Sequence, residues 1–168
     1  MATTLVNAET RVTENVVSNR WKIKVVDRNS LSCSENKLEH GYIVSSVLNR
    51  DTKQFGKKYL FDAEEDTCWN SDQGSPQWIH VQFPEAVTLQ EMHIRFQGGF
   101  AGKECWIEVE GAENKVDPIK FYPEDSNSLQ RFPFPENLCC TSVKIVFNTS
   151  TDFYGRVTVY QLNLLGVT

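Results

Sequence analysis

The side chains that could act as catalysts or transition-metal ligands are three histidines and a vicinal cysteine pair. His40, His80 and His93 are scattered and do not match a spacing such as H-E-x-x-H, which places two imidazoles on one helix face. Cys139 and Cys140 have no neighbouring base in the sequence that would activate a thiol. We therefore interpret the cysteines as buried small residues and His80 and His93 as solvated residues at outward strand positions, and we expect a protein without catalytic activity.

Phosphate-binding patterns are also absent from the sequence. Gly98, Gly99 and Gly102 form a turn-rich stretch that lacks the Lys-Ser/Thr pair and the following helix of a phosphate loop. The 168 residues carry a net charge of −5, and no basic patch stands out. Because binding to a nucleic-acid backbone depends mostly on Lys and Arg neutralising phosphates, we expect no direct nucleic-acid binding.

The cysteines and the N-terminal sequence bear on the compartment. Five cysteines at irregular spacing do not form an even disulfide framework. Residues 1–7 lack the basic start and apolar run of a secretory signal, and no stretch is apolar enough to cross a bilayer. We expect a reduced protein, either cytosolic or nuclear.

The elements that position these side chains are predicted to be short β-strands. Three segments alternate with period two and place their apolar residues on one face, as half-buried antiparallel strands do. The inward residues are Ile79, Val81 and Phe83; Cys105, Ile107 and Val109; and Val143, Ile145 and Phe147. In the last strand the apolar parity changes between Val159 and Leu162, which predicts a β-bulge near residues 160–161. Several strands separated by turns indicate an all-β sandwich or barrel in a single domain.

The segment from residue 60 to residue 83 carries the most specific pattern. An acidic turn leads to Trp69, then a Gly-Pro loop leads to Trp78 at the start of an alternating strand. This order resembles the discoidin domain, also called the coagulation factor V/VIII C-type domain, over about residues 43–166. The resemblance implies a galactose-binding-like jelly-roll β-sandwich that binds a partner. In this fold the equivalent tryptophans more often pack in the core or brace a loop than form a platform for sugar, so we expect core positions for both.

Several unbroken blocks are similar to an intracellular member of this family. They are residues 44–50, 54–58, 68–74, 96–100, 121–125 and 151–157. That member binds an orphan nuclear receptor and lowers its transcriptional activity. The resemblance therefore implies a non-enzymatic protein-interaction module and transcriptional repressor with such a receptor as its partner. It also implies a location in the nucleus, with the cytoplasm as a second location. The extracellular relatives imply an alternative, a carbohydrate- or phospholipid-binding module.

The resemblance departs from the family at the beginning of the chain. Residues 1–10 match the start of the domain and residues 43–168 match the sandwich, whereas residues 11–42 are additional and mildly basic. We favour a surface insertion over a functional basic insert, because surface loops tolerate insertions at little thermodynamic cost. Within it, residues 21–26 alternate as a short strand does.

The acidic turn is a candidate metal site only through the resemblance. Several galactose-binding-like domains hold a structural calcium ion there, and a carboxylate from the last strand completes the oxygen shell. The equivalent residues here are Asp62, Thr67 and Gln161. Because Gln161 lacks the negative charge of that carboxylate, we favour a hydrogen-bonded turn over calcium and expect no cofactor.

Members of the family bind ligands through loops at one end of the sandwich, and three loops are the candidates here. They contain Phe55, Lys57 and Lys58; Gln97, Phe100 and Lys103; and Asp152, Phe153, Tyr154 and Arg156. Aromatic residues combined with Arg or Lys are typical of interface hot spots. In the alternative interpretation, Phe153 and Tyr154 are buried anchors of their loop and the two lysines are solvated.

Overall fold

Antiparallel strands make up most of the molecule, and the predicted all-β fold is confirmed. The computed structural model describes residues 21–22, 41–62, 64–112 and 115–167. The strands are β1 (Trp21–Lys22), β2 (Tyr42–Val44), β3 (Trp69–Asn70), β4 (Gln77–Phe96), β5 (Cys105–Glu110), β6 (Ile119–Phe121), β7 (Leu129–Phe147) and β8 (Thr158–Val167). Between β2 and β3 lie a 3-10 turn (Leu48–Arg50), the short helix α1 (Thr52–Phe55) and a second 3-10 turn (Lys57–Leu60). Within the described ranges, no helix has the length and apolar character needed to span a membrane.

The eight described strands form one continuous hydrogen-bonded sheet, and the long strands β4 and β7 run through both of its layers, which we call sheet one and sheet two. In sheet one, residues 77–82 of β4 pair with residues 142–147 of β7, β2 flanks β4, and β5 and then β6 extend the sheet beyond β7. The register shifts after Gln82. In sheet two, residues 87–95 of β4 lie between residues 129–140 of β7 and strand β8, and β1 and β3 pair with β8. The same two strands thus hold both layers of the sandwich together.

The core lies between the two sheets, as the predicted alternation requires. Of the nine predicted inward residues, Val109 is half-buried and the other eight are buried. Phe147 of sheet one meets Phe96 of sheet two edge-on, with ring centroids 5.7 Å apart. Such contacts across the layers place the apolar faces of both sheets out of water, which is the main stabilisation of a sandwich.

The predicted β-bulge is confirmed at Tyr160. Strand β8 pairs Gln161 with Arg95 but pairs Val159 with the next residue of β4, Phe96, so Tyr160 is the extra residue. Val159 and Leu162 are both fully buried despite their opposite parity. The bulge therefore returns the apolar residues of β8 to the core on both sides of the irregularity.

The two tryptophans of the central segment have different environments. Trp69 is fully buried, and its indole N–H donates to the carbonyl oxygen of Ser46 at 2.9 Å. Trp78 is half-buried on the outer face of sheet one, and the Nζ of Lys144 lies 5.1 Å from its ring centroid. The prediction of a core position is confirmed for Trp69 and wrong for Trp78. The reason is parity, because Trp78 precedes the inward residue Ile79 and so faces away from the core.

Part of the predicted insertion takes part in the sheet. Strand β1 lies within residues 11–42, and its pairs with β8 are Trp21 with Gly166 and Lys22 with Leu165. Strand β2 begins at Tyr42. Residues 1–20 and 23–40 lie outside the described residues, so the division of the chain at residues 10 and 42 stays a prediction.

Truncation of Trp69 is expected to destabilise the fold much more than truncation of Trp78. Trp69→Ala should lower the free energy of unfolding by about 3–5 kcal/mol, because it leaves a cavity in the core. The matched change Trp78→Ala should cost about 1 kcal/mol, since it removes a half-exposed ring and its contact with a lysine. Urea unfolding followed by circular dichroism measures both values, and equal losses would contradict these assignments.

Candidate functional site

Two of the three predicted loops meet at one end of the sandwich. The backbone N–H of Thr151 donates to the carbonyl oxygen of Ala101 at 2.9 Å, and Ala101 N–H donates to the Thr151 hydroxyl at 3.0 Å. Two further loops join them, since Gly99 N–H donates to the Asp125 carboxylate and Gly74 N–H donates to the Tyr154 carbonyl. We define the loop end as residues 72–76, 97–103, 123–128 and 149–156.

A charged pair within one loop fixes the conformation of the loop end. Arg156 donates from Nε and Nη2 to the two carboxylate oxygens of Asp152, both at 3.0 Å. The same carboxylate accepts the backbone N–H groups of Tyr154 and Arg156 at 3.1 Å. A two-point Arg–carboxylate pair is stronger and more directional than a single hydrogen bond. The loop from residue 152 to residue 156 is therefore held in one shape by its own side chains.

Aromatic rings lie beside the guanidinium group of Arg156. Its Cζ is 5.0 Å from the ring centroid of Phe100 and 5.7 Å from that of Tyr154. The predicted residues Phe100, Asp152, Tyr154 and Arg156 are thus brought together. Because the Arg156 guanidinium is already paired with Asp152 and packed beside these rings, it braces the surface.

The charged pair also affects the proton equilibria of its members. The hydrogen bond from Arg156 holds the pKa of the Asp152 carboxyl below its usual range. The same bond raises the pKa of Arg156. Both shifts favour the charged forms, so the pair is intact at neutral pH.

Phe153 and Tyr154 project from the loop end into solvent. Phe153 is 94% exposed and Tyr154 is 57% exposed, and their rings meet edge-on with centroids 5.3 Å apart. The alternative interpretation as buried anchors is therefore wrong. The backbone bonds to Asp152 curl the loop, and Gly155 packs against the neighbouring loop with φ of +79°. A Cβ on Gly155 would lie 2.9 Å from the backbone carbonyl oxygen of Gly74, so the positive φ and this close approach together require glycine.

A shallow depression lies beside this aromatic pair. Its volume is about 310 Å³, and it is lined by Gly74, Ser75, Thr149, Ser150, Asp152, Phe153, Tyr154 and Gly155. The lining is mostly small and polar. A depression of this kind can accommodate a side chain at the rim of a protein partner, or a small polar group, better than it can a large apolar ligand.

The remaining residues of these two loops contribute mainly through the backbone. Gln97 N–H donates to the carbonyl oxygen of Thr158 at 3.1 Å, and Lys103 N–H donates to that of Thr149 at 2.9 Å. The Lys103 side chain is exposed and the Gln97 side chain is half-buried. Lys103 is therefore the accessible cation of this loop.

The third predicted loop makes its contacts elsewhere. The Nζ of Lys57 donates to the carbonyl oxygen of Tyr42 in β2 at 2.9 Å, and the Nζ of Lys58 lies 4.8 Å from the ring centroid of Tyr59. Phe55 is half-buried. Tyr42 pairs with Val81, which lies about 13 Å along β4 from the loop end. We therefore treat this loop as a second surface.

The acidic turn is closed by hydrogen bonds to Asp62, the arrangement that the sequence analysis favoured over a calcium site. The Asp62 carboxylate accepts the Thr67 hydroxyl at 2.7 Å and the Glu64 N–H at 3.0 Å. Gln161 is half-buried in β8, opposite Arg95. In the described part of the chain, no group of three or more His, Cys, Asp or Glu side chains is arranged to hold a metal ion. The calcium alternative stays a prediction.

The cysteines and the histidine that were considered as candidate catalytic residues differ in burial and in their hydrogen-bond partners. Cys140 is buried, and desolvation followed by the neighbouring Cys139 raises its pKa to about 11, so it stays a thiol at neutral pH. Cys139 is exposed, so the prediction of two buried cysteines is wrong for it, because adjacent residues of a strand face opposite sides. His93 is mostly covered and its Nε2 lies 2.7 Å from the Glu91 carboxylate, which corrects the prediction of a solvated residue.

Known proteins similar to this chain can now be compared with it. It is 56% identical to the nuclear receptor 2C2-associated protein of Danio rerio over 124 residues, which are 73% of this chain and 88% of that protein. It is 49% identical to the Homo sapiens protein of the same name over 124 residues, with the same coverage. The chain belongs to the nuclear receptor 2C2-associated protein family. This confirms the predicted resemblance, and no protein-family model matches the chain.

Solved structures similar to this member of the nuclear receptor 2C2-associated protein family confirm the fold. A family 32 carbohydrate-binding module of Clostridium perfringens NanJ, solved with galactose, aligns with a TM-score of 0.59 and 18% identity, covering 74% of this chain and 91% of that one. An F5/8 type C domain from Bacteroides fragilis aligns with a TM-score of 0.61 and 19% identity, covering 88% of this chain and 97% of that one. The predicted discoidin-type, galactose-binding-like sandwich is therefore confirmed.

Some accessible side chains were missed by the sequence analysis. Arg50 and Lys53 are exposed beside Lys57 and Lys58, although no basic patch was expected. The sequence does contain a sign of this patch, since four cations lie within residues 50–58. The negative net charge of the whole chain conceals it. Tyr122 is 72% exposed after β6, and its sequence context gives no sign of this.

Loss of the Asp152 charge is expected to destabilise the protein in a pH-dependent way. Asp152→Asn should lower the free energy of unfolding at pH 7 by about 1–2 kcal/mol, because the paired carboxylate is replaced by a neutral amide. Since the pKa of Asp152 is lowered on folding, its stabilisation is present above the unfolded pKa and is lost as pH falls through the folded pKa. Thermal unfolding at pH 7 and at about pH 3 should therefore show a difference between variant and wild type that shrinks in acid. A constant difference would contradict the assignment.

Proposed function

We propose that this chain is a non-enzymatic protein-interaction module that binds nuclear receptor 2C2 in the nucleus, with a cytoplasmic pool, and lowers its transcriptional activity. The observation that carries the proposal is its identity of about half with relatives named for that association, over 88–90% of their length.

The proposed contact surface is the loop end together with the second surface. Phe153 and Tyr154 are the central apolar residues, and Gln97, Phe100 and Lys103 lie in the adjoining loop. Asp152 and Arg156 hold the shape of the surface, and Phe55, Lys57 and Lys58 extend contact beyond it. An aromatic centre with a polar and cationic rim is the usual composition of a binding hot spot.

Rigidity of the loop end supports a role in binding. Large exposed apolar side chains are unfavourable in water, and burial of a phenylalanine stabilises by about 1.5–3 kcal/mol. Phe153 is displayed by a loop whose backbone is fixed through the Asp152 carboxylate. Because the loop is ordered before contact, little further entropy is lost on binding.

Replacement of the exposed aromatic pair is expected to weaken receptor capture without unfolding the protein. The double variant Phe153→Ser with Tyr154→Ser should bind the purified receptor at least about tenfold more weakly, since each lost anchor costs more than about 1 kcal/mol. Surface plasmon resonance measures the affinity, and a receptor-driven reporter measures repression in cells.

The matched control is Tyr122→Ser, which removes a side chain of similar exposure outside the loop end. It should retain receptor affinity and repression. Wild-type protein that does not bind purified receptor would refute the proposed function. Equal loss in the control and the double variant would refute the assignment to the loop end.

A second candidate function is binding of a carbohydrate or a phospholipid headgroup. The specific observation in its favour is the fold shared with a carbohydrate-binding module solved with galactose. Glycan-array and liposome binding at micromolar protein test it. Saturable sugar or lipid binding that the double variant abolishes would favour this candidate over the receptor.

A further inference from the structure

A run of cations lies between β2 and β3. We define the basic segment as residues 48–60, which contain Arg50, Lys53, Lys57 and Lys58 against one acidic residue, Asp51. The segment carries a formal charge of +3 in a chain of −5, so the remainder of the chain carries −8. This local reversal of sign makes the segment a distinct electrostatic surface.

The single acid of the segment is used by the backbone. Asp51 caps helix α1, and its Oδ1 accepts the N–H groups of Lys53 and Gln54, both at 3.1 Å. Its negative charge is therefore directed at the helix start. The neighbouring lysine side chains are not neutralised by it.

The cations are accessible. Arg50, Lys53 and Lys58 are exposed, and within the described residues none of the three forms an ion pair. Lys57 is half-buried and its Nζ donates to the Tyr42 carbonyl oxygen. Three cations therefore remain available to an incoming anion.

The backbone of the basic segment is held in one conformation. Asn49 and Arg50 both have positive φ, 52° and 58°, a conformation that non-glycine residues rarely adopt. Tyr59 donates its hydroxyl to the carbonyl oxygen of Lys53 and ties the helix to the second 3-10 turn. Leu60 and Phe61 anchor the end of the segment in the core at 0% and 4% exposure. Strain tolerated by a well-anchored segment is typical of positions with a function.

We propose that the basic segment is a docking surface for a carboxylate-rich segment of the protein partner. The inference deepens the proposed function and rests on it for the identity of the partner, because it specifies the chemistry that the partner presents. Three accessible cations on a preformed turn match a short run of Asp and Glu residues. A long polyanion such as a nucleic acid fits less well, because beyond this segment it meets a surface that carries net negative charge.

The test compares three versions of the full chain. They are the wild type, a reversal variant with Arg50→Glu, Lys53→Glu and Lys58→Glu, and a control variant with Lys115→Glu, Lys120→Glu and Arg131→Glu. Both variants change the net charge equally, and all six positions are exposed. Unchanged thermal unfolding of the two variants establishes that they are folded.

Fluorescence anisotropy with a labelled octaglutamate peptide, and capture of purified receptor 2C2, are the two readouts. We expect the reversal variant to bind both at least about tenfold more weakly than the wild type, with the control variant unchanged and the peptide affinity falling as salt rises. An octaglutamine peptide should not bind.

The outcomes separate this inference from the proposed function. One outcome is that the wild type fails to capture the receptor yet binds octaglutamate in a way that the reversal variant does not. In that case the proposed function fails, and the basic segment stands as a docking surface for carboxylate-rich segments. If the reversal variant binds octaglutamate as tightly as the wild type does, or captures the receptor as well as the wild type does, the inference is overturned. Tighter binding to a single-stranded oligonucleotide of equal charge than to octaglutamate would also overturn it in favour of a nucleic acid.

Discussion

The antiparallel pairing of β4 with β7 is the constraint on which the rest of the structure depends. The two strands hydrogen-bond in sheet one and, after the shift that follows Gln82, pair again in sheet two. Because the same backbones form the centre of both layers, the layers cannot shift without breaking this ladder. The positions of β2, β5 and β8 follow from it, since each pairs with β4 or β7. The loop end is the set of connections that this pairing brings to one side.

Much of the fold could be predicted because strand periodicity is a local property. Ile79, Ile107 and Ile145 are recognisable as inward residues from their immediate neighbours, and the parity change around Tyr160 predicts its bulge. Trp78 shows the limit of a family-level expectation, because aromatic character favoured the core while parity placed the ring outside. For Trp78, strand parity predicted the position of the ring better than the family resemblance did.

The candidate site was less predictable because it depends on contacts between loops far apart in sequence. The loops that hold Phe100, Asp152 and Arg156 were foreseen, but not the pairing and stacking that make Arg156 a brace. The loop that displays Phe153 packs through Gly155 against Gly74 and Ser75, a contact that no spacing in the sequence reveals. The cations at Arg50 and Lys53 were visible in the sequence and were overlooked because the chain as a whole is acidic.

The central claim is that recognition occurs through ordered connections outside the sheets. Hydrogen–deuterium exchange of the chain alone and in complex with receptor 2C2 tests it most directly. The account predicts slower exchange on binding within residues 97–103 and 149–156 and in the basic segment, with the interior of β4 and β7 unchanged. A complex in which protection is confined to the sheet faces or to the opposite end, around residues 84–86 and 111–112, would contradict it.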